Sequence, residues 1–198
     1  MDRLDASYIN RTNKIRVLDL IRNSSTISRA ELTKKAALSA PTITRIVDAL
    51  IHQNHMVEEV GIGDSDGGRP PNLIRFAGAD KYVIGIDLGT THIDGIVANL
   101  NADIIVELRV PTVVGSGYQE VMHRTSTLIN DLVEQSGVDQ NNVLGVGVAV
   151  AGLVDKDKKI VEFSPDFGWH DVNVGLDIHK EISLPIVFDN VTRVMAMG

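Results

Sequence analysis

Residues 84–92 read I-G-I-D-L-G-T-T-H. The first five alternate about Asp87 with the two-residue period of a half-buried strand. Gly89, Thr90 and Thr91 supply turn chemistry, and apolar residues resume after His92. The stretch therefore predicts a strand, a tight turn and a second strand, with Asp87 carried close to the turn.

The pattern continues outward from that hairpin. Residues 82–88, 92–100 and 104–110 read as three strands, with turns at 89–91 and 101–103. Sequential strands with short turns make an antiparallel meander. A helix is expected over 117–135, a buried strand over 143–150, a turn over 151–155, a short helix over 174–182 and a strand over 185–188. Three hairpin strands, a helix, a strand, a helix and a strand fit one ribonuclease-H-like lobe, of the kind found in the actin and sugar-kinase superfamily.

Upstream the texture differs. Ile15, Val17, Leu18 and Ile21 are spaced for a helix over 12–23. Ser28-Arg-Ala-Glu31 is a capping box that starts a second helix, with Leu32 and Ala36 inward. Ser39 reads as a further N-cap, with Pro41 accommodated in the first turn. The third helix runs to about 53, burying Ile43, Ile46, Val47, Leu50 and Ile51 and leaving Thr42, Thr44 and Arg45 outward. Residues 56–60 and 73–76 read as two strands around a Gly- and Pro-rich connection.

Two helices joined by a tight turn, followed by a hairpin, describe a winged helix-turn-helix. The second helix of such a pair enters the major groove by its N-terminal end. Ser39 and Ala40 are small enough for close approach, Thr42 and Thr44 offer hydroxyls, and Arg45 offers the fork that grips guanine. Gly68-Arg69-Pro70 at the wing tip is slim enough for a narrow minor groove. The helices alone also describe an ordinary three-helix bundle, and a winged helix can bind protein with no DNA role, so these readings stand beside DNA binding.

The wing added to the helices favours DNA binding, and the charge distribution agrees with it, although a basic face alone is usually just solvated. Residues 1–78 carry a net +2 and residues 79–198 a net −9, within a total of −7. Arg11, Lys14, Arg16, Arg22, Arg29, Lys34, Lys35 and Arg45 face only Asp19 and Glu31 across 11–46. A basic front on an acidic body suits a polyanion met at one end. The chain has 198 residues, enough for two small domains, divided here as 1–78 and 79–198. It has no cysteine, which removes disulfides and thiolate metal sites and fits a cytoplasmic setting. None of its six histidines shows metal spacing, and the apolar run 143–154 is too short to span a bilayer. No cofactor, metal or membrane partner is expected.

Several stretches resemble the ROK family. They are S-R-A-E-L at 28–32, L-S-A-P-T-I-T-R-I-V-D-A-L at 38–50 and G-G-R-P-P at 67–71. Further on come V-I-G-I-D-L-G-T-T at 83–91, G-V-G-V-A-V-A-G-L-V-D at 145–155, F-G-W-H-D-V-N-V at 167–174 and L-P-I-V-F-D-N-V at 184–191. That family combines bacterial sugar-responsive repressors, which carry a winged helix, with sugar kinases, which do not. Ala37 departs from the pattern, standing where the family usually has a turn glycine.

The resemblance implies a regulator of carbohydrate genes, xylose utilisation among them. It would bind double-stranded operator DNA as a homodimer and be relieved by a small sugar. It assigns Asp87, Gly89 and Thr90 to a phosphate-binding turn, and Gly152 and Asn190 to the sugar side. In family kinases an aspartate takes the proton from the sugar hydroxyl; that place falls on Val191, which cannot accept a proton. No catalytic residue is therefore expected, and the phosphate turn is expected to be vestigial. A register slipped onto Asp189 would restore a base, provided that the strand's alternation did not turn it to the opposite face. A sugar kinase with an added N-terminal domain is thus the alternative. Asn190 reads equally as a strand-end residue bonded to backbone, and Trp169 is expected to pack in the lobe rather than line a pocket. The resemblance further implies truncation within the effector domain. A second lobe, a zinc-binding Cys/His loop and most dimer contacts would follow residue 198, and one lobe alone would bind sugar poorly.

Overall fold

The computed structural model describes residues 6–63 and 70–197. Its contacts divide the chain into two compact units, Met1–Gly78 and Ala79–Gly198.

The first unit begins with α1 (Ala6–Arg22), followed by β1 (Ile27–Ser28), α2 (Arg29–Ala36) and α3 (Ala40–His52). The hairpin β2 (Val57–Ile62) and β3 (Asn72–Phe76) completes it. α1 starts about two turns before the expected residue 12. Its buried residues are Val17 and Ile21, and Ile15 is 51% exposed, against the expectation that it lies on the inward stripe. A stripe on a single helix end is narrow: position 15 falls on the far side from 17 and 21 once the helix runs straight through. Ile43, Ile46, Val47 and Leu50 of α3 close the core with Leu32, Ala36 and Ile74, while Ile51 is only partly buried against it.

α2 is set by its own ends. Ser28 Oγ accepts from Glu31 N at 3.2 Å, and Ser28 N donates to Glu31 Oε2 at 2.9 Å. At the other end Ala37 takes the left-handed conformation, φ 51° and ψ 41°. β1, only two residues long, pairs antiparallel with β3, which pairs antiparallel with β2. The short β1 was not legible as a strand, because its two residues have no period to display.

The second unit holds β4 (Tyr82–Leu88), β5 (His92–Asn99), β6 (Ile104–Pro111), α4 (Tyr118–Ser136) and β7 (Val143–Val150). Then come β8 (Leu153–Asp155), β9 (Ile160–Ser164), β10 (Trp169–Val172), α5 (Val174–Glu181), β11 (Ile186–Asn190) and α6 (Val191–Met197). The main sheet has the order β11-β7-β4-β5-β6. Its β4, β5 and β6 form the antiparallel meander, and β7 and then β11 join in parallel. Ile84, Ile86 and Leu88 point to one face, where Val121, Leu128, Ile129 and Leu132 of α4 cover them.

The second unit departs from the sequence reading at two places. Residues 153–155 are not simply turn: β8, β9 and β10 make a second, antiparallel sheet. And β11 ends at Asn190, so Val191 opens a helix rather than continuing the strand. Strand alternation therefore does not relate Asp189 to Val191.

Candidate nucleic-acid interface and sugar-side residues

At the start of α3, Ser39 takes an extended conformation and its Oγ accepts from Thr42 N at 3.4 Å. The same Oγ lies 2.8 Å from Thr42 Oγ1. Pro41 fits because the first helical N–H groups have no intrahelical partner to lose. Ser39, Ala40, Thr44 and Arg45 are exposed and Thr42 is half-buried. Ile43, Ile46 and Val47 on the opposite side are buried, so the polar start of α3 faces outward because its apolar face is fixed inward. Gly68 and Arg69 lie outside the described residues; Pro70, next to them, is exposed.

Between α1 and α3 runs an open groove of about 1200 Å³, lined by Asn10, Arg11, Lys14, Thr44, Arg45 and Asp48 among others. Arg45 Nη2 donates to Asn10 Oδ1 at 2.7 Å, and Lys14 Nζ donates to Asn54 Oδ1 at 2.6 Å. Asn10 was missed in sequence because it precedes the periodic part of α1.

Arg29, one of the eight cations of the basic front, is committed elsewhere. It bonds Asp48 at 2.9 Å and Glu59 at 2.8 Å, joining α2 to α3 and β2. Burial works against its charge, but the hydrogen bonds to Glu59 and Asp48 outweigh it and hold the guanidinium protonated.

In the second unit, Asp87 sits at an exposed position one residue before the end of β4. Partial desolvation of its carboxyl, and the neighbouring charge of Asp94 opposite it on β5, raise it above the usual aspartate range. Asp94 in turn is paired with Arg109. Gly89 is required at its turn: a Cβ there would lie 2.8 Å from His92 O, and Gly89 N donates to that oxygen. Gly89 O accepts from Thr112 Oγ1 at 2.6 Å, and Thr90 is exposed. Asp87, Gly89 and Thr90 are therefore brought together at one turn.

Gly152 and Asn190 also meet. Asn190 Nδ2 donates to Gly152 O at 2.7 Å, and Asn190 Oδ1 accepts from Thr192 N at 2.9 Å and Arg193 N at 3.3 Å. Asn190 is thus the N-cap of α6, in line with its backbone-bonded reading, and keeps one amide hydrogen free of these bonds. Gly152 has φ 133°, and a Cβ would lie 2.6 Å from Phe163 O. Asp189 bonds Arg193 Nη1 at 3.1 Å. Trp169 is buried, stacked on Phe167 at 4.2 Å and edge-on to Tyr118 at 5.1 Å, so it packs the lobe. Among the described residues no group of three His, Asp or Glu is placed to hold a metal ion. No helix among them is long and apolar enough to cross a membrane.

The model of the ROK family matches residues 83–198. The chain belongs to the ROK family. A xylose repressor of Bacillus subtilis (strain 168) is 30% identical over 198 residues, spanning 100% of this chain and 51% of that protein. A putative xylose repressor of Caldicellulosiruptor sp. (strain Rt8B.4) is 30% identical over 192 residues, 97% of this chain and 48% of that protein. The ROK-family chain therefore spans about half the length of the curated relatives it matches. A crystal structure of a ROK family transcriptional regulator, a homolog of the E. coli MLC protein, superposes with a TM-score of 0.78. That match covers 96% of this chain and 48% of the regulator at 23% identity, so the mixed α/β fold is the shared feature.

Proposed function

We propose that the chain is the DNA-binding and first effector part of a transcriptional repressor of carbohydrate genes, with xylose as the sugar. The observation that carries this reading is the outward-facing polar start of α3, held over a fully apolar inner face. The repressor relatives support it, since their similarity runs through the first unit as well as the ROK-matched region. In this reading residues 1–78 are a winged helix-turn-helix and residues 79–198 one ribonuclease-H-like lobe. Ser39, Ala40, Thr42, Thr44 and Arg45 read the major groove, and Gly68, Arg69 and Pro70 enter the minor groove. In this reading two copies pair on a palindromic operator, as helix-turn-helix proteins commonly do. The setting is cytoplasmic, where the operator is.

Gly152 and Asn190 mark the sugar side, and the free amide hydrogen of Asn190 is the group offered to a hydroxyl. The Asp87–Gly89–Thr90 turn is kept for the hairpin, with Thr112 and His92 bonded across it. No phosphoryl transfer is assigned, because Val191 offers no base and Asp189 is engaged by Arg193.

Fluorescence anisotropy with a labelled duplex tests the reading. The wild type is expected to bind at low salt and to weaken steeply as salt rises. The double substitution Arg45→Ala and Arg69→Ala should lower affinity by about tenfold or more. Absence of wild-type binding at low salt would transfer the first unit to protein recognition. A coupled ATPase assay with xylose and hexoses should stay at background; turnover would reinstate the kinase reading.

A further inference from the structure

The Arg45 guanidinium is held by an uncharged amide on another helix. Its Nη2 donates to Asn10 Oδ1 at 2.7 Å, between residues 35 apart in sequence and both exposed. We propose that Asn10 is a positioning residue for base recognition, fixing the Arg45 guanidinium so that its unused N–H groups face the DNA. This inference rests on the reading of α3 as the recognition helix.

The chemistry of the pair supports it. A guanidinium has five N–H donors and no acceptor. The Asn10 bond uses one donor on Nη2, which leaves a hydrogen on each terminal nitrogen for a two-bond grip on guanine. A carboxylate in the same place would hold Arg45 equally well but cancel its charge towards phosphate-rich DNA. The nearby carboxylate lining the groove, Asp48, is drawn away by Arg29 at 2.9 Å. Lys14, lining the same groove, is likewise held by a neutral amide, Asn54, at 2.6 Å. Two cations of one groove are thus fixed in direction without being neutralised.

The rigidity comes from the core. Asn10 stands on the same unbroken helix as Val17 and Ile21, both fully buried, so the accepting oxygen sits on an anchored element. Arg45 lies between Thr44 and the buried Ile46 on α3. A long exposed side chain loses rotamer freedom when it docks, and fixing it beforehand removes much of that loss. The gain should fall on the base that Arg45 reads and not on the phosphates met by other residues.

Selection from a duplex library with a randomised centre, followed by sequencing, tests this with the full chain. The wild type should enrich a guanine at one position or more, and Arg45→Ala should lose it at one of them. Asn10→Ala should blur that same position by roughly fivefold. It should leave affinity for an unselected duplex and the thermal midpoint unchanged. Asn10→Asp should restore the preference while lowering affinity for all duplexes, since it keeps the acceptor and adds a negative charge. Wild-type discrimination in Asn10→Ala overturns the positioning role, and so does equal weakening on every duplex. A preference that survives Arg45→Ala, or no enrichment by the wild type, overturns the recognition-helix reading and this inference with it.

Discussion

Ala37 carries a backbone conformation that costs a residue with a Cβ. Its φ of 51° and ψ of 41° lie in the left-handed region, between α2 and the cap of α3. Ala37→Gly should therefore stabilise the first unit by about 1 kcal/mol, read as a higher urea midpoint by circular dichroism. Arg29 is the reverse case, a surface-seeming residue with a structural task. Arg29→Ala removes both of its ion pairs but leaves Asp48 and Glu59 free to solvate, so a loss of about 1–2 kcal/mol is expected. Arg29→Lys should recover only part, because a single ammonium cannot fork between two carboxylates. These two residues also show where sequence reading stops. The unusual Ala37 is visible as a departure in a local motif, but the Arg29 bridges join residues 19 and 30 positions apart, and no local pattern encodes them.

At the scale of the element, the ends of α2 are written in the sequence because a capping box closes on itself within four residues. Hydrogen bonds from Ser28 backbone and side chain hold the Glu31 carboxyl below the usual glutamate range. A depressed carboxylate contributes stability that is present above the unfolded value and lost as pH falls through the folded one. Wild-type stability should thus decline in acid below the ordinary glutamate range, while Glu31→Gln, which keeps an acceptor, flattens that decline. Ser28→Ala should cost about 1 kcal/mol at neutral pH, followed by urea titration. β4 and β7 have the bounds that alternation and apolar run length predicted, since their periods are long enough to count. β8, β9 and β10 escaped, being three to five residues each with lysines and aspartates between them. The first turns of α1 escaped for a similar reason: Tyr8 and Ile9 are exposed, so the apolar spacing there carries no inward stripe.

At the scale of the molecule, the two hydrophobic clusters have no residue in common. Trp169 is the sole tryptophan and belongs to the second of the two units. Its fluorescence therefore reports that unit, whereas circular dichroism reports both. Ile43→Ala, at a fully buried position of α3, should cost the first unit about 2–5 kcal/mol. The expected outcome is an earlier dichroism transition with an unmoved tryptophan transition; a joint shift would show that the units melt together. The sharp change in texture near residue 79 made the division readable, because helical stripes give way there to strand alternation.

The order β11-β7-β4-β5-β6 also sets a timetable for the nascent chain. The meander of β4, β5 and β6 spans 30 consecutive positions, 82–111, and can zip from its own turns as it leaves the ribosome. β7 must find β4 across the whole of α4, and β11 has only β7 as a strand partner. Such distant parallel pairings are slow to form. During synthesis the meander therefore waits with its β4 edge open as well as the β6 edge that the finished sheet keeps, and shielding β4 until β7 arrives is the step on which productive folding turns.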